Sequence, residues 1–143
     1  MTMKSKNLIV DSCFWFALFD LKDEYHNKAD LICRKYQLDS HKILLPWPSL
    51  FEVLNEKFMT SEKIPWREEI KKGLRNNFEL IDDSSYKDDA LKSVLSQNEL
   101  SLVDQIINLM MEDVKLNIKA IITFNVKDFE TVARKRAIEV ISD

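Results

Sequence analysis

Residues 99–130, ELSLVDQIINLMMEDVKLNIKAIITFNVKDFE, decide how this 143-residue chain is read. Leu102, Val103, Ile106, Ile107, Leu109, Met110 and Val114 recur at helical spacing, which predicts a helix with one broad buried face; Asp104 falls off that face. Residues 120–123, AIIT, follow as a short apolar run with β-branched members, suited to a strand covered on both sides. A carboxylate stands at either end of this unit, Asp104 before it and Asp128 after it. In a parallel α/β unit the helix preceding a strand runs antiparallel to it, so the helix start and the strand end meet at one edge of the sheet. Asp104 and Asp128 are therefore expected to converge where open sheets bind their ligands.

Outward from this unit the same pattern repeats. Residues 7–10 form a short buried-strand candidate that stops at Asp11 and Ser12, after which CFWFALF opens an apolar helix. Residues 23–36 carry a stripe of Tyr25, Ala29, Ile32, Cys33 and Tyr36 with Glu24, Lys28, Arg34 and Lys35 facing outward, the pattern of an amphipathic surface helix. His26, on or beside it, reads as a packed or hydrogen-bonded histidine rather than a catalytic base. Residues 42–45 give a second strand. Pro46 and Pro48 then lead into SLFEVLNEKF, where Leu50, Val53, Leu54 and Phe58 make a buried stripe and Glu52 and Glu56 share another face.

Residues 65–77 form a further helix whose basic flank of Arg67, Lys71, Lys72 and Arg75 reads as a solvated face, with phosphate contact as the minority reading. Residues 78–81 are a strand candidate. Asp82, Asp83, Asp88 and Asp89 read as turn and cap residues around a helix carrying Tyr86, Ala90, Leu91, Val94 and Leu95, and residues 137–141 supply a last strand. The alternation implies an α/β fold: a three-layer α/β/α sandwich around a mainly parallel sheet of about five strands, in a single domain spanning residues 1–143.

Composition narrows the chemistry. With 45% hydrophobic and 31% charged residues the chain has the profile of an ordinary globular protein, and no apolar run is long enough to cross a bilayer. The apolar patch near residue 8 is too short for a signal peptide and is broken by Asp11, so the expected location is the cytoplasm. A net charge of −3 argues against attraction of nucleic acid to the whole surface. Cys13 and Cys33 form no CxxC pair and read as reduced packing residues. The single glycine, Gly73, excludes the glycine-rich phosphate loops, and neither His26 nor His41 lies in a nucleophile pattern. Any chemistry must rest chiefly on carboxylates.

Four acids follow one logic. Asp11 ends the first strand, Glu52 opens the helix after the second, Asp104 opens a later helix, and Asp128 follows the strand to which that helix leads. Right-handed crossovers place all four near one sheet edge. Carboxylates gathered there repel by a few kcal/mol each at an effective dielectric of about 20, so they must protonate, separate or hold a cation. An all-oxygen set best suits Mg²⁺ or Mn²⁺. Each acid alone also has a local explanation: Ser101 with Asp104 fits a capping box, Asn125 with Asp128 has similar spacing, and Asp11 can cap the helix after it.

The segments IVDS, PWPSLFEV, LSLVDQII and IITFNVKDF, in that order, resemble the PIN-domain family and within it the VapC-like toxin ribonucleases. The resemblance spans nearly the full length. It implies that Asp11, Glu52 and Asp104 bind the metal; Asn125 occupies a position where many members carry an acid, and Asp128 is read as its substitute. Ser12, Thr123 and Asn125 resemble polar residues that orient the first carboxylate or a bound water.

What the resemblance implies for function is a Mg²⁺- or Mn²⁺-dependent endoribonuclease that leaves a 5′ phosphate and a 3′ hydroxyl, paired with an antitoxin and forming a homodimer. Lys127, Arg134, Lys135 and Arg136 could contact the RNA backbone or form an exposed basic face. Trp15, Phe16, Phe19, Trp47 and Trp66 could serve partner contacts, though core packing explains most of them better. A catalytically inert PIN-like module that binds protein or RNA is the main alternative. A phosphoryl-handling enzyme with Asp11 as nucleophile ranks third, because DSC lacks the second acid that such enzymes carry.

Overall fold

Strands β1 (Asn7–Val10) and β4 (Ile118–Ile122) lie side by side at the centre of the sheet. β2 (Lys42–Pro46) and β3 (Phe78–Ile81) extend it on one side and β5 (Glu139–Ile141) on the other, giving the order β3-β2-β1-β4-β5 with every neighbouring pair parallel. The computed structural model describes residues 5–55, 66–96 and 99–143, without the side chain of residue 66. The expected sheet was mainly parallel; the observed one is wholly so.

Alternation along the central strands divides the core. Leu8, Val10, Ile43, Leu45, Ala120 and Ile122 face one way and pack with α1 (Ser12–Phe19), α2 (His26–Lys35), α3 (Trp47–Asn55) and Ile70 of α4 (Trp66–Asn76). Ile9, Leu44 and Ile121 face the other way, against α5 (Lys87–Leu95), α6 (Leu102–Glu112) and α7 (Val126–Lys135). Two apolar clusters on opposite faces of one sheet make the three-layer α/β/α sandwich, and their residues explain why β1, β2 and β4 read as continuous apolar runs. Among the described residues no helix is long and apolar enough to cross a membrane.

The strand order fixes where a ligand can sit. From β1 the chain winds outward through β2 and β3, then returns to β1's other side as β4 and β5. That reversal opens a crevice beyond the carboxyl ends of β1 and β4, the usual binding position of open parallel sheets. Asp11 follows β1 and Thr123 follows β4, so both border it.

Several boundaries differ from the sequence reading. β4 starts at Ile118 and ends before Thr123, whose amide donates to Ile141 O at 3.1 Å. β5 begins only at Glu139 because Ala137 adopts a left-handed conformation (φ 55°), which no alanine advertises. α6 stops at Glu112, leaving Val114 exposed in a 3₁₀ turn; Leu54 and Leu102 are likewise more exposed than their stripes implied. Trp15 is buried and Trp47 exposed, whereas Glu56, Phe58 and the side chain of Trp66 lie outside the described residues.

The one glycine serves close approach rather than a turn. A Cβ on Gly73 would lie 2.3 Å from two ring carbons of Phe78, whose ring is itself 5.6 Å from that of Trp15. Gly73→Ala gains about 1 kcal/mol of helix propensity, yet overpacking of this kind costs about 1–3 kcal/mol, and a ring braced from behind cannot yield cheaply. A net loss of roughly 1 kcal/mol is expected, read as a lower urea midpoint; an unchanged or higher midpoint would show that α4 shifts freely.

Candidate active site

Asp11 is held at the end of β1 by its own backbone. Its amide donates to Ile122 O at 3.0 Å, extending the β1–β4 ladder by one step and bringing the side chain beside Thr123. The buried carboxylate caps α1 through Oδ1, which accepts from Ser12 N at 2.8 Å. Oδ2 accepts from Thr123 Oγ1 at 3.0 Å and from Cys13 Sγ at 3.3 Å, and the Asn125 side chain also bonds to this carboxylate. Burial pushes the Asp11 carboxyl above its ordinary range, and these donors pull it partly back.

Asp104 approaches from the start of α6. Ser101 caps that helix, its Oγ accepting from Asp104 N at 3.1 Å, so the capping reading holds. The carboxyl has a further role, because it is pushed up to about 7 by burial, by the charge of Asp11, and by a hydrogen bond to Asp128 together with that residue's charge. Asp128 lies in the first turn of α7, its amide donating to Asn125 O at 3.1 Å. Acids from three distant parts of the chain therefore meet at the crevice, as the winding of the sheet predicts for Asp104 and Asp128. Asn125 makes no capping bond with its side chain, which turns to Asp11 instead.

Glu52 is placed differently. It lies on the exposed side of α3, and Ser12 Oγ donates to its Oε1 at 3.5 Å, so it joins the cluster through Ser12. Among the described residues no three His, Cys, Asp or Glu side chains are arranged to hold one metal ion. By chemistry the set still suits a hard divalent cation, because its charged donors are all carboxylate oxygens, and after burial the Asp11 and Asp128 charges add to the rise at Asp104. Cys13 does not soften the set: burial, then the Asp11 charge, pushes its thiol up to about 12, so it stays protonated and donates.

No family model matches the chain, and no curated protein matches it either. Its structure is similar to that of VapC20 from Mycobacterium tuberculosis, described as a sarcin-ricin loop cleaving toxin, with a TM-score of 0.65 and 17% identity over 87% of this chain and 94% of that one. VapBC2 from Rickettsia felis, in a crystal structure with a DNA fragment from its promoter, aligns at a TM-score of 0.49 and 15% identity, covering 94% and 97%. The chain has the fold of VapC-like PIN domains.

Within this PIN-like fold two contributors escaped the sequence reading. Asn108, buried on α6, donates through Nδ2 to Asp104 O at 3.1 Å and to Asp128 O at 3.0 Å, tying together the two helices that carry these acids. Its Oδ1 is buried with no hydrogen-bond partner among the described residues. The available signal was an amide inside the apolar run IINLMM, one turn after Asp104. Cys13, read as packing, instead touches Asp11 and accepts from Phe124 N at 3.4 Å.

The basic residues separate. Lys127 sits in the first turn of α7, but Arg134, Lys135 and Arg136 lie at its far end, about 10–14 Å away by helix rise, where Lys135 pairs with Glu112 at 3.2 Å. His26, as expected, is hydrogen-bonded, its Nδ1 2.9 Å from Ala17 O.

Proposed function

We propose that residues 1–143 act as one nuclease domain, a Mg²⁺- or Mn²⁺-dependent endoribonuclease of the toxin kind, working in the cytoplasm as a homodimer restrained by an antitoxin. The observation that carries this reading is the convergence of Asp11, Asp104 and Asp128 at the crevice between β1 and β4, where burial first and then the neighbouring acids push the Asp104 carboxyl up to about 7. Asp11, Glu52, Asp104 and Asp128 are the residues to hold the cation. A bound cation would acidify a water and neutralise charge on a phosphodiester oxygen.

The protein's own groups do the rest. Thr123, Cys13 and Asn125 fix the Asp11 carboxylate in one orientation, and the Ser12 hydroxyl steers Glu52. Asp104 and Asp128, sharing a hydrogen bond, are placed to orient the attacking water and to receive its proton. With neither histidine among these groups, the acids supply the proton acceptor.

The test is incubation with structured ribosomal RNA and with single-stranded RNA, in Mn²⁺ and in excess chelator. Cleavage leaving 5′-phosphate ends in Mn²⁺ and none in chelator is the expected result. The neutral Asn125 and the absence of a closed three-acid group among the described residues favour a second reading, an inert PIN-like binding module. RNA binding without cleavage at millimolar Mn²⁺ would establish that one instead.

A further inference from the structure

We propose that Tyr25, stacked on Phe124, is a platform for a nucleobase of single-stranded RNA lying beside the carboxylates; the inference rests on the nuclease reading above. The two rings are 4.7 Å apart between centroids with planes 8° from parallel. Phe124 follows Thr123 directly, and its amide donates at 3.4 Å to Cys13 Sγ, which is 3.3 Å from Asp11 Oδ2, so the stack is anchored at the edge of the acidic crevice. Behind Phe124 stands the ring of Phe14, 6.3 Å away and fully buried, which keeps the platform from retreating.

Tyr25 is not part of the buried stripe that helical spacing implied. It immediately precedes α2 and is 36% exposed. Its backbone is fixed on both sides, the amide donating to Asp23 Oδ1 at 2.8 Å and the carbonyl accepting from Ala29 N at 2.9 Å. Lys28 Nζ stands over the ring, 5.8 Å from its centroid, on an exposed side chain that an incoming base would displace toward its phosphate. A preorganised aromatic with a displaceable cation over it matches what an unpaired nucleotide presents, a π-face and a phosphate. A base inside a duplex cannot use such a platform, because its faces are already stacked. The cation also offsets, for an incoming phosphate, the repulsion from the acids.

The experiment uses the full chain with Mn²⁺ and an RNA oligonucleotide whose cut site is mapped, alongside the same RNA made abasic at each nucleotide flanking the cut. The parent should lose roughly tenfold in kcat/KM when the stacked base is removed. Tyr25→Leu should lose a similar factor on intact RNA and no longer distinguish the abasic substrate, while Tyr25→Trp should keep the discrimination. Melting curves check that both variants are folded. A Tyr25→Leu protein that cuts and discriminates like the parent overturns the platform and leaves the nuclease standing. A parent that cuts no RNA overturns both.

Discussion

Asp11→Asn and Asp104→Asn should each lower RNA cleavage about a thousandfold or more while the protein stays folded. The size follows from what is removed, since a cation at a phosphoryl centre contributes several kcal/mol of transition-state stabilisation and every 1.36 kcal/mol is about tenfold in rate. Folding survives for reasons specific to each site. At position 11 an amide keeps one oxygen for Ser12 N–H and turns its NH₂ toward Thr123, whose hydroxyl can reverse its hydrogen. At position 104 the substitution removes a charge that burial, Asp11 and Asp128 all oppose, so the metal-free variant should melt at the parent temperature or above it. Lost activity with retained or improved stability separates a chemical role from a structural one. Parent-like cleavage by both variants would overturn the assignment.

That opposition of sign also bears on the capping explanation. Were Asp104 only the third residue of a capping box, its replacement would weaken the start of α6 and lower stability by about 0.5–1 kcal/mol. Both roles are built into the same residue: the backbone amide of Asp104 uses Ser101, and the carboxyl faces Asp11 and Asp128.

What could be read from the sequence was whatever periodicity and winding dictate. Ile9, Leu44 and Ile121 are covered by helices on one face while their neighbours are covered on the other, so buried parallel strands appear as unbroken apolar runs. The meeting of Asp104 with Asp128 required only that a helix and the next parallel strand run in opposite directions.

What stayed hidden depends on contacts between residues far apart in the chain or on local geometry without a residue signature. Tyr25 meets Phe124 from a distant part of the chain, and nothing in the spacing of residues 23–36 distinguishes an exposed stacking ring from a buried one. Cys13 looks like packing until Thr123 and Phe124 arrive beside it from the other half of the chain. Ala137 carries a positive φ without the glycine or asparagine that would announce it. Arg134, Lys135 and Arg136, which the sequence left open between RNA contact and an exposed basic face, are exposed at the far end of α7, where the helix separates them from Lys127.

Adding Mn²⁺ to metal-free protein should raise the melting temperature, and more so at pH 8 than at pH 5. A raised Asp104 pKa means that the folded state disfavours the ionised carboxyl relative to the unfolded chain. The resulting cost is absent below the unfolded value of about 4, grows as pH rises from there, and is complete above about 7. Half-exposed as Asp104 is, screening holds this to about 1 kcal/mol, seen as a modest fall in metal-free stability between those limits. A cation binds the ionised form and relieves the repulsion, so its effect follows the opposite course. At a hundredfold excess over its Kd a ligand specific to the folded state adds about 2.7 kcal/mol, which for a chain of this length is roughly 10 °C. Asp104→Asn should lose most of that increase, and chelator should reverse it. If millimolar Mn²⁺ leaves the pH 8 melting temperature of the parent unchanged, the acids hold no cation and the inert module is the correct reading.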